Sequence, residues 1–189
     1  MSLPAVTIEL PDWMEEAAPG GLLCPTREDR MRFVVDLARE NVRQKTGGPF
    51  GAAVFEPDSG RLIAPGVNLV YTTNLSCAHA EIVALSVAQR ILGSFDLGEG
   101  GPLELVTSTE PCAMCFGGVI WSGVKSLVCG AREQDARAIG FDEGPKVPDW
   151  PEELSRRGIS IARDVCRAEA ASVLEEYAEN GGVIYNARR

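Results

Sequence analysis

The order in which apolar periodicities change along the chain constrains its fold more than any other feature. From Thr26 to about Lys45, Met31, Val34, Val35, Ala38 and Val42 recur at helical spacing, with Thr26 as the capping residue. "TGGPF" ends that helix. "FGAAVFE", "PDSG" and "RLIAPGVNLV" then read as strand, turn and returning strand. After a loop at 71–78 the helical period returns over His79 to Leu92. Ala80, Val83, Ala84, Val87 and Ile91 form one stripe, and Ile82 and Leu85 add a second apolar face, so this helix is expected to be buried. The remainder alternates: strand "LELVTS" (103–108), helix from Cys112 to about Ser122, strand "KSLVCGA" (125–131) and a short helix from Glu133 to Ile139. After the loop "GFDEGP" come a helix from Trp150 to Arg157, strand "ISIARDV" and a helix from Cys166 to Ala178. A helix, a hairpin and then helix–strand units predict an α/β protein, a three-layer α/β/α sandwich around a central mixed five-stranded sheet.

With 189 residues, one domain is expected, spanning 26–180. Residues 1–25 carry four prolines and a Gly20-Gly21 pair and read as an arm, with Trp13 as its anchor; residues 181–189 form a tail. The start "MSLPAVTIELPDW" has no basic leader and no apolar core, and no run of about 18 apolar residues occurs, so neither secretion nor a membrane span is expected. A cytoplasmic protein keeps its cysteines reduced, where they are buried, metal-bound or catalytic. The net charge of −9, from 18 basic and 27 acidic residues, repels phosphate backbones and disfavours a nucleic-acid partner.

Two short strings carry the chemistry. "HAE" (79–81) holds the chain's sole histidine, and "PCAMC" (111–115) holds two cysteines three apart. His79 falls at the start of the buried helix. Cys112 and Cys115 fall in the first turn of another, after a strand and the helix-favouring Pro111. Residues three apart on a helix share a face, so both thiolates can meet one ion with the imidazole opposite. Thiolates near a helix N-terminus also ionise more easily. A structural zinc normally takes four protein ligands, whereas three leave a position for water. Glu81, two residues from the imidazole, is placed to move that water's proton to a substrate. The bland alternatives are a redox-active or merely buried Cys pair and a packed histidine. Cys77, just before the motif, reads as packing, because a fourth thiolate would take the water's place.

"HAE…PCAMC" resembles the signature of the zinc deaminases of the cytidine-deaminase superfamily. The longer strings "TSTEPCAMCFGGVIWSGV", "GFDEGP" and "GGVIYNARR" look like the bacterial guanine deaminases of that superfamily. The resemblance is strong from about Gly48 to Gly144 and weak over the arm. It implies that His79, Cys112 and Cys115 bind Zn2+ and that Glu81 is the proton shuttle. Guanine would become xanthine and ammonia through a metal-bound hydroxide. It also points to Glu143 as a second shuttle, beside Asp142, where the alternative is a solvated acidic loop. Asn68 would bind the purine edge, or else serve as a strand-end turn residue. Phe50, and less strongly Phe141, would stack on the base or pack in the core. Ala80 would offer a backbone N–H to a carbonyl oxygen. Tyr185 and the tail would cap the pocket, from the same chain or a neighbour, or end in a strand. Trp121 suits a core or a homodimer interface, and the family implies a homodimer.

Other functions fit the same strings. Wobble-adenosine deaminases of tRNA share "HAE" and "PCxMC", but they need a basic surface. Cytosine or guanosine are further substrates within this chemistry. A zinc-binding module without catalysis is a different class, opposed by Glu81 and by the three-ligand count.

Overall fold

The computed structural model describes residues 3–186, so the first two and last three residues of the arm and tail lie outside it. The capping signal at Thr26 starts helix α2 (Arg27–Arg43). Thr26 Oγ1 accepts from the Asp29 N–H at 3.0 Å, and the Asp29 carboxylate accepts from the Thr26 N–H at 3.3 Å. This reciprocal pair satisfies two donors that the helix leaves without partners. Ahead of it, the arm contains a short helix α1 (Met14–Ala17), and the indole N–H of Trp13 donates to Thr46 Oγ1 at 3.0 Å. The anchor expected of Trp13 is therefore a hydrogen bond as well as packing.

The hairpin is β1 (Gly51–Phe55) and β2 (Leu62–Val67). It is followed by a single turn, α3 (Val70–Thr73), within what reads as loop, and by α4 (Ala80–Leu92). Then come β3 (Glu104–Thr109), α5 (Ala113–Ser122), β4 (Ser126–Ala131), α6 (Glu133–Ala138), α7 (Trp150–Arg156), β5 (Ser160–Ala162) and α8 (Arg167–Glu179). The sheet order is β2-β1-β3-β4-β5. β1 is antiparallel to β2 and β3, while β3–β4 and β4–β5 are parallel, so the sheet is mixed as expected.

Alternation along the strands explains the three layers. Ala52, Val54, Leu105, Leu127 and Cys129 face α4, α5 and α7. Ala53, Phe55, Val106, Val128 and Ala131 face α2, α6 and α8. Arg30 of α2 also reaches Glu104 of β3 in an ion pair of 2.9 Å, with both side chains almost wholly buried. Helix α4 lies so close on β2 that a Cβ at Gly66 would meet Ala84 N at 2.4 Å and Ala80 O at 2.5 Å. Only glycine fits this backbone-to-backbone approach.

Several local expectations are corrected. The fifth strand is three residues long, not seven, because Asp164 turns into the left-handed region at φ 63°. The end of α4 is not buried: Ile91 is 60% and Leu92 46% exposed. Trp121 is 85% exposed and so is not a core residue. Cys77 is exposed rather than packed. No helix among the described residues is long and apolar enough to cross a membrane.

Candidate active site

The site forms where the chain leaves β3 and where α4 and α5 begin. Crevices at the carboxyl ends of parallel strands are the usual ligand sites of α/β sheets. His79 is the residue before the first turn of α4, in extended conformation, and Cys112 holds the same position before α5. Cys115 follows in the first turn of α5. One ligand atom from each of His79, Cys112 and Cys115 lies within 4.8 Å of the other two. His79 Nδ1 and Cys112 Sγ are 3.5 Å apart, so Nδ1 is the nitrogen that faces the sulfurs. This is the only such group of three among the described residues. Two thiols and one imidazole, soft and borderline donors converging on one point, are the donor set that zinc takes.

Electrostatics agree with a cation there. Without metal, the two thiols compete for one negative charge. The hydrogen bond with Cys115 holds the Cys112 thiol well below its ordinary value, and the same bond pushes Cys115 far up. A bound divalent ion removes that conflict, because coordinated thiols are deprotonated. Glu81, in the first turn of α4, is buried. Burial first, and the charge on Cys112 second, raise its carboxyl to about 7. Glu143 is also buried, and the same two causes, with Glu81 added, raise it to about 8. In the metal-free chain, two carboxyls raised toward neutrality beside these three side chains are suited to proton transfer.

A cavity of about 260 Å³ opens beside this cluster. His79, Glu81, Cys112 and Glu143 line one part of it, and Phe50, Asn68, Phe141, Asp142 and Tyr185 line the rest. Ala80 and Cys115, both wholly buried, are not part of the lining; what Ala80 offers is the backbone N–H of the first helical residue. The Asn68 amide is oriented, since its Oδ1 accepts from the Val70 N–H at 3.2 Å. Its NH2 group is the end left for a ligand. Phe50 and Phe141 meet edge to face at 5.0 Å, and Phe141 lies 5.0 Å from the Tyr185 ring. Their stacking and core readings therefore merge, because both rings pack on a core cluster and wall the cavity.

The loop after α6 is held in place by backbone bonds. Ala113 N donates to Glu143 O at 2.9 Å, tying the loop to the start of α5. Gly144 N donates to Asp142 Oδ1 at 2.9 Å, and Lys146 Nζ to Pro111 O at 2.6 Å. Among its described residues, 181–186, the tail forms no strand. Asn186 clamps it to this loop: its Nδ2 donates to Gly140 O at 2.8 Å, and its Oδ1 accepts from Asp142 N at 2.9 Å.

Thr109, Glu110 and Asn186 also line the cavity, and none stands out in the sequence. The first two directly precede Pro111 at the end of β3, so a strand-end rule points to them; Asn186 carries no such signal. The Thr109 hydroxyl and the Tyr185 hydroxyl are both buried without a protein partner. Buried hydroxyls normally have one, so these two await a ligand or water.

A sheet that delivers an imidazole, two thiols and a buried carboxylate to one cavity defines the class of zinc-binding deaminase domains. Residues 25–131 match the family model of the cytidine and deoxycytidylate deaminase zinc-binding region, and the chain belongs to that family. The guanine deaminase of Bacillus subtilis (strain 168) is 40% identical over 116 residues, covering 61% of this chain and 71% of that protein. A solved structure of guanine deaminase from Nitrosomonas europaea is 49% identical, covers 93% of this chain and 97% of its own, and superposes with a TM-score of 0.89. The crystal structure of NE0047 in complex with 2,6-diaminopurine is 51% identical over 98% of both chains, with a TM-score of 0.91.

Proposed function

We propose that the protein is a zinc-dependent aminohydrolase that converts guanine and water to xanthine and ammonia. The observation that carries this reading is the placement of two buried carboxyls, Glu81 and Glu143, in a cavity walled by aromatic rings and an oriented amide beside the three metal-ligand side chains. The relatives that act on guanine, or are solved with a diaminopurine, support the choice of base.

His79, Cys112 and Cys115 would hold the ion. Zinc bound there supplies a water whose pKa is lowered toward about 7. Glu81 would hold the proton released by the attacking water and pass it to the ring nitrogen next to the amine-bearing carbon of guanine. Glu143, whose carboxyl burial raises in the metal-free chain, would give its proton to the departing amine and recover one from the hydroxyl of the addition product as the carbonyl forms. The Asn68 NH2 donates to an acceptor on the purine edge. Phe50, Phe141 and Tyr185 cover the ring and exclude water, and Tyr185 and Asn186 bring the tail over the cavity as its cap. Asp142 holds the Glu143 loop through its bond from Gly144 N. The Ala80 N–H suits the base carbonyl oxygen.

The acidic balance of 27 to 18 opposes the wobble-adenosine reading. We also infer a homodimer built on α5, whose Met114 and Trp121 are exposed apolar side chains, as are Ile91 and Phe95 elsewhere on the chain.

The test is ammonia release from guanine, adenine, cytosine and guanosine, each with and without a chelator. Chelator-sensitive release from guanine alone supports the reading. Activity on an anticodon hairpin with none on free bases would replace it, and bound zinc with no turnover of any base would reduce the protein to a binding module. Light scattering on wild type and Trp121→Glu checks the dimer.

A further inference from the structure

Helix α2 carries Asn41 on the stripe it shares with Met31, Val34 and Ala38, and its exposure is 0%. A buried amide on an apolar stripe is costly unless its hydrogen bonds are made. Here they are. Asn41 Nδ2 donates to the Gly48 carbonyl at 2.9 Å and to the Asn68 carbonyl at 2.8 Å. Its Oδ1 accepts from Thr46 Oγ1 at 2.7 Å, and that hydroxyl in turn accepts from the Trp13 indole at 3.0 Å.

The two carbonyls belong to the two segments that flank the cavity. Asn68 carries the amide that faces the cavity. Gly48 seats Tyr185: a Cβ there would lie 2.2 Å from the Tyr185 hydroxyl. Between them, Gly47 has no room for a side chain either, since a Cβ would meet Asn68 O at 1.6 Å and Asn41 Nδ2 at 2.5 Å. One amide thus clamps the strand end that recognises the base against the turn that seats the tail. It is braced from outside by Thr46 and the arm.

We propose that Asn41, which does not touch the cavity, is the positioning residue for substrate recognition, fixing Asn68 and the Gly48 seat of Tyr185 together. This rests on the reading of Asn68 as the residue that binds the base. Because Asn41 acts on recognition and not on the proton-transfer groups, its loss changes KM and leaves kcat and zinc content nearly alone. Because it acts through Asn68, its effect shrinks when the Asn68 amide is already gone.

The experiment measures KM and kcat for guanine, with zinc per chain, in Asn41→Ala, Asn68→Ala, the double variant and Thr46→Val. Asn41→Ala is expected to raise KM about tenfold, the scale of a lost buried hydrogen-bond partner. kcat should stay within about threefold, with one zinc per chain kept. Thr46→Val removes only the brace and gives a smaller rise of the same kind. In the double variant KM rises by less than the product of the two single effects, the remainder acting through the Gly48 seat of Tyr185. Effects of the two single variants that multiply fully would overturn the proposal, as would a fall in kcat or zinc with KM unchanged. If Asn41→Ala does not fold, Thr46→Val decides: an unchanged KM overturns the proposal. An Asn68→Ala enzyme with wild-type KM would overturn the reading of Asn68 itself, whatever Asn41 does.

Discussion

The Nζ of Lys146 donates to the carbonyl of Pro111 at 2.6 Å, one residue before the first cysteine of the metal cluster. The same ammonium pairs with Glu133 at 2.9 Å and sits 4.9 Å over the Trp150 ring, with its side chain only 3% exposed. It therefore ties the loop carrying Glu143 to the turn that presents Cys112. Replacing Lys146 with Met keeps the bulk but removes both polar links. Groups that orient metal ligands are worth about 10–100-fold in affinity or activity. Lys146→Met is expected to lose zinc to a competing chelator about tenfold more readily, with unchanged circular dichroism.

Glu81→Gln keeps the shape of the buried side chain and removes its capacity to move protons. A general acid–base group contributes about 10²–10⁴-fold in rate. A fall in kcat of that size with one zinc per chain retained is expected. Metal analysis and steady-state kinetics on one preparation check it, and a loss confined to KM would contradict the assigned role.

Glu143 makes a pH-dependent contribution to stability whose sign follows from burial. Its folded carboxyl is raised to about 8, above the unfolded value of about 4.3. The folded state therefore binds the proton more tightly. Stability is favoured below the unfolded value, declines as pH rises toward 8, and levels off above it. In metal-free protein, Glu143→Gln should flatten this decline and stabilise the fold at pH 8 by up to about 5 kcal/mol, at about 1.36 kcal/mol for each pH unit between the two values. Urea midpoints from pH 5 to 9 measure it. Glu81, shifted in the same direction, leaves a residual slope.

Gly66→Ala tests the closeness of α4 to β2. The added methyl would meet the backbone of Ala84 and Ala80 at 2.4 and 2.5 Å, atoms that cannot swing aside. Overpacking of this kind costs about 1–3 kcal/mol, occasionally more. Because α4 carries Glu81 and begins after His79, activity should fall along with the urea midpoint. A variant as stable as wild type would refute the packing account.

The parts legible in the sequence are those with a strong local signal. His79, Glu81, Cys112 and Cys115 stand at fixed short spacings at helix starts, and the strands between helices specify the layers. Distances across the chain were not legible. Nothing in "TGGPF" shows that Gly48 is the seat of Tyr185, because that contact depends on how the tail returns. Asn41 carries no signal in the sequence, because a polar residue in a helix usually faces water. The one-turn helices α1 and α3 are too short for a period to show. The last turn of α4 misled for the opposite reason: Ile91 keeps the helical period, but no element covers it.

The division between helix-borne and loop-borne side chains has a consequence for the lineage. On the proposed reading, the groups that would hold the metal and move protons stand at the starts of α4 and α5, braced by the sheet, apart from Glu143. Those proposed to select the ring, Ala80 apart, stand on the hairpin end, the loop after α6 and the tail. Changes of diet can thus accumulate in connecting segments while the reactive apparatus is inherited intact, and ring preference should diverge among descendants well before the ability to cleave a carbon–nitrogen bond does.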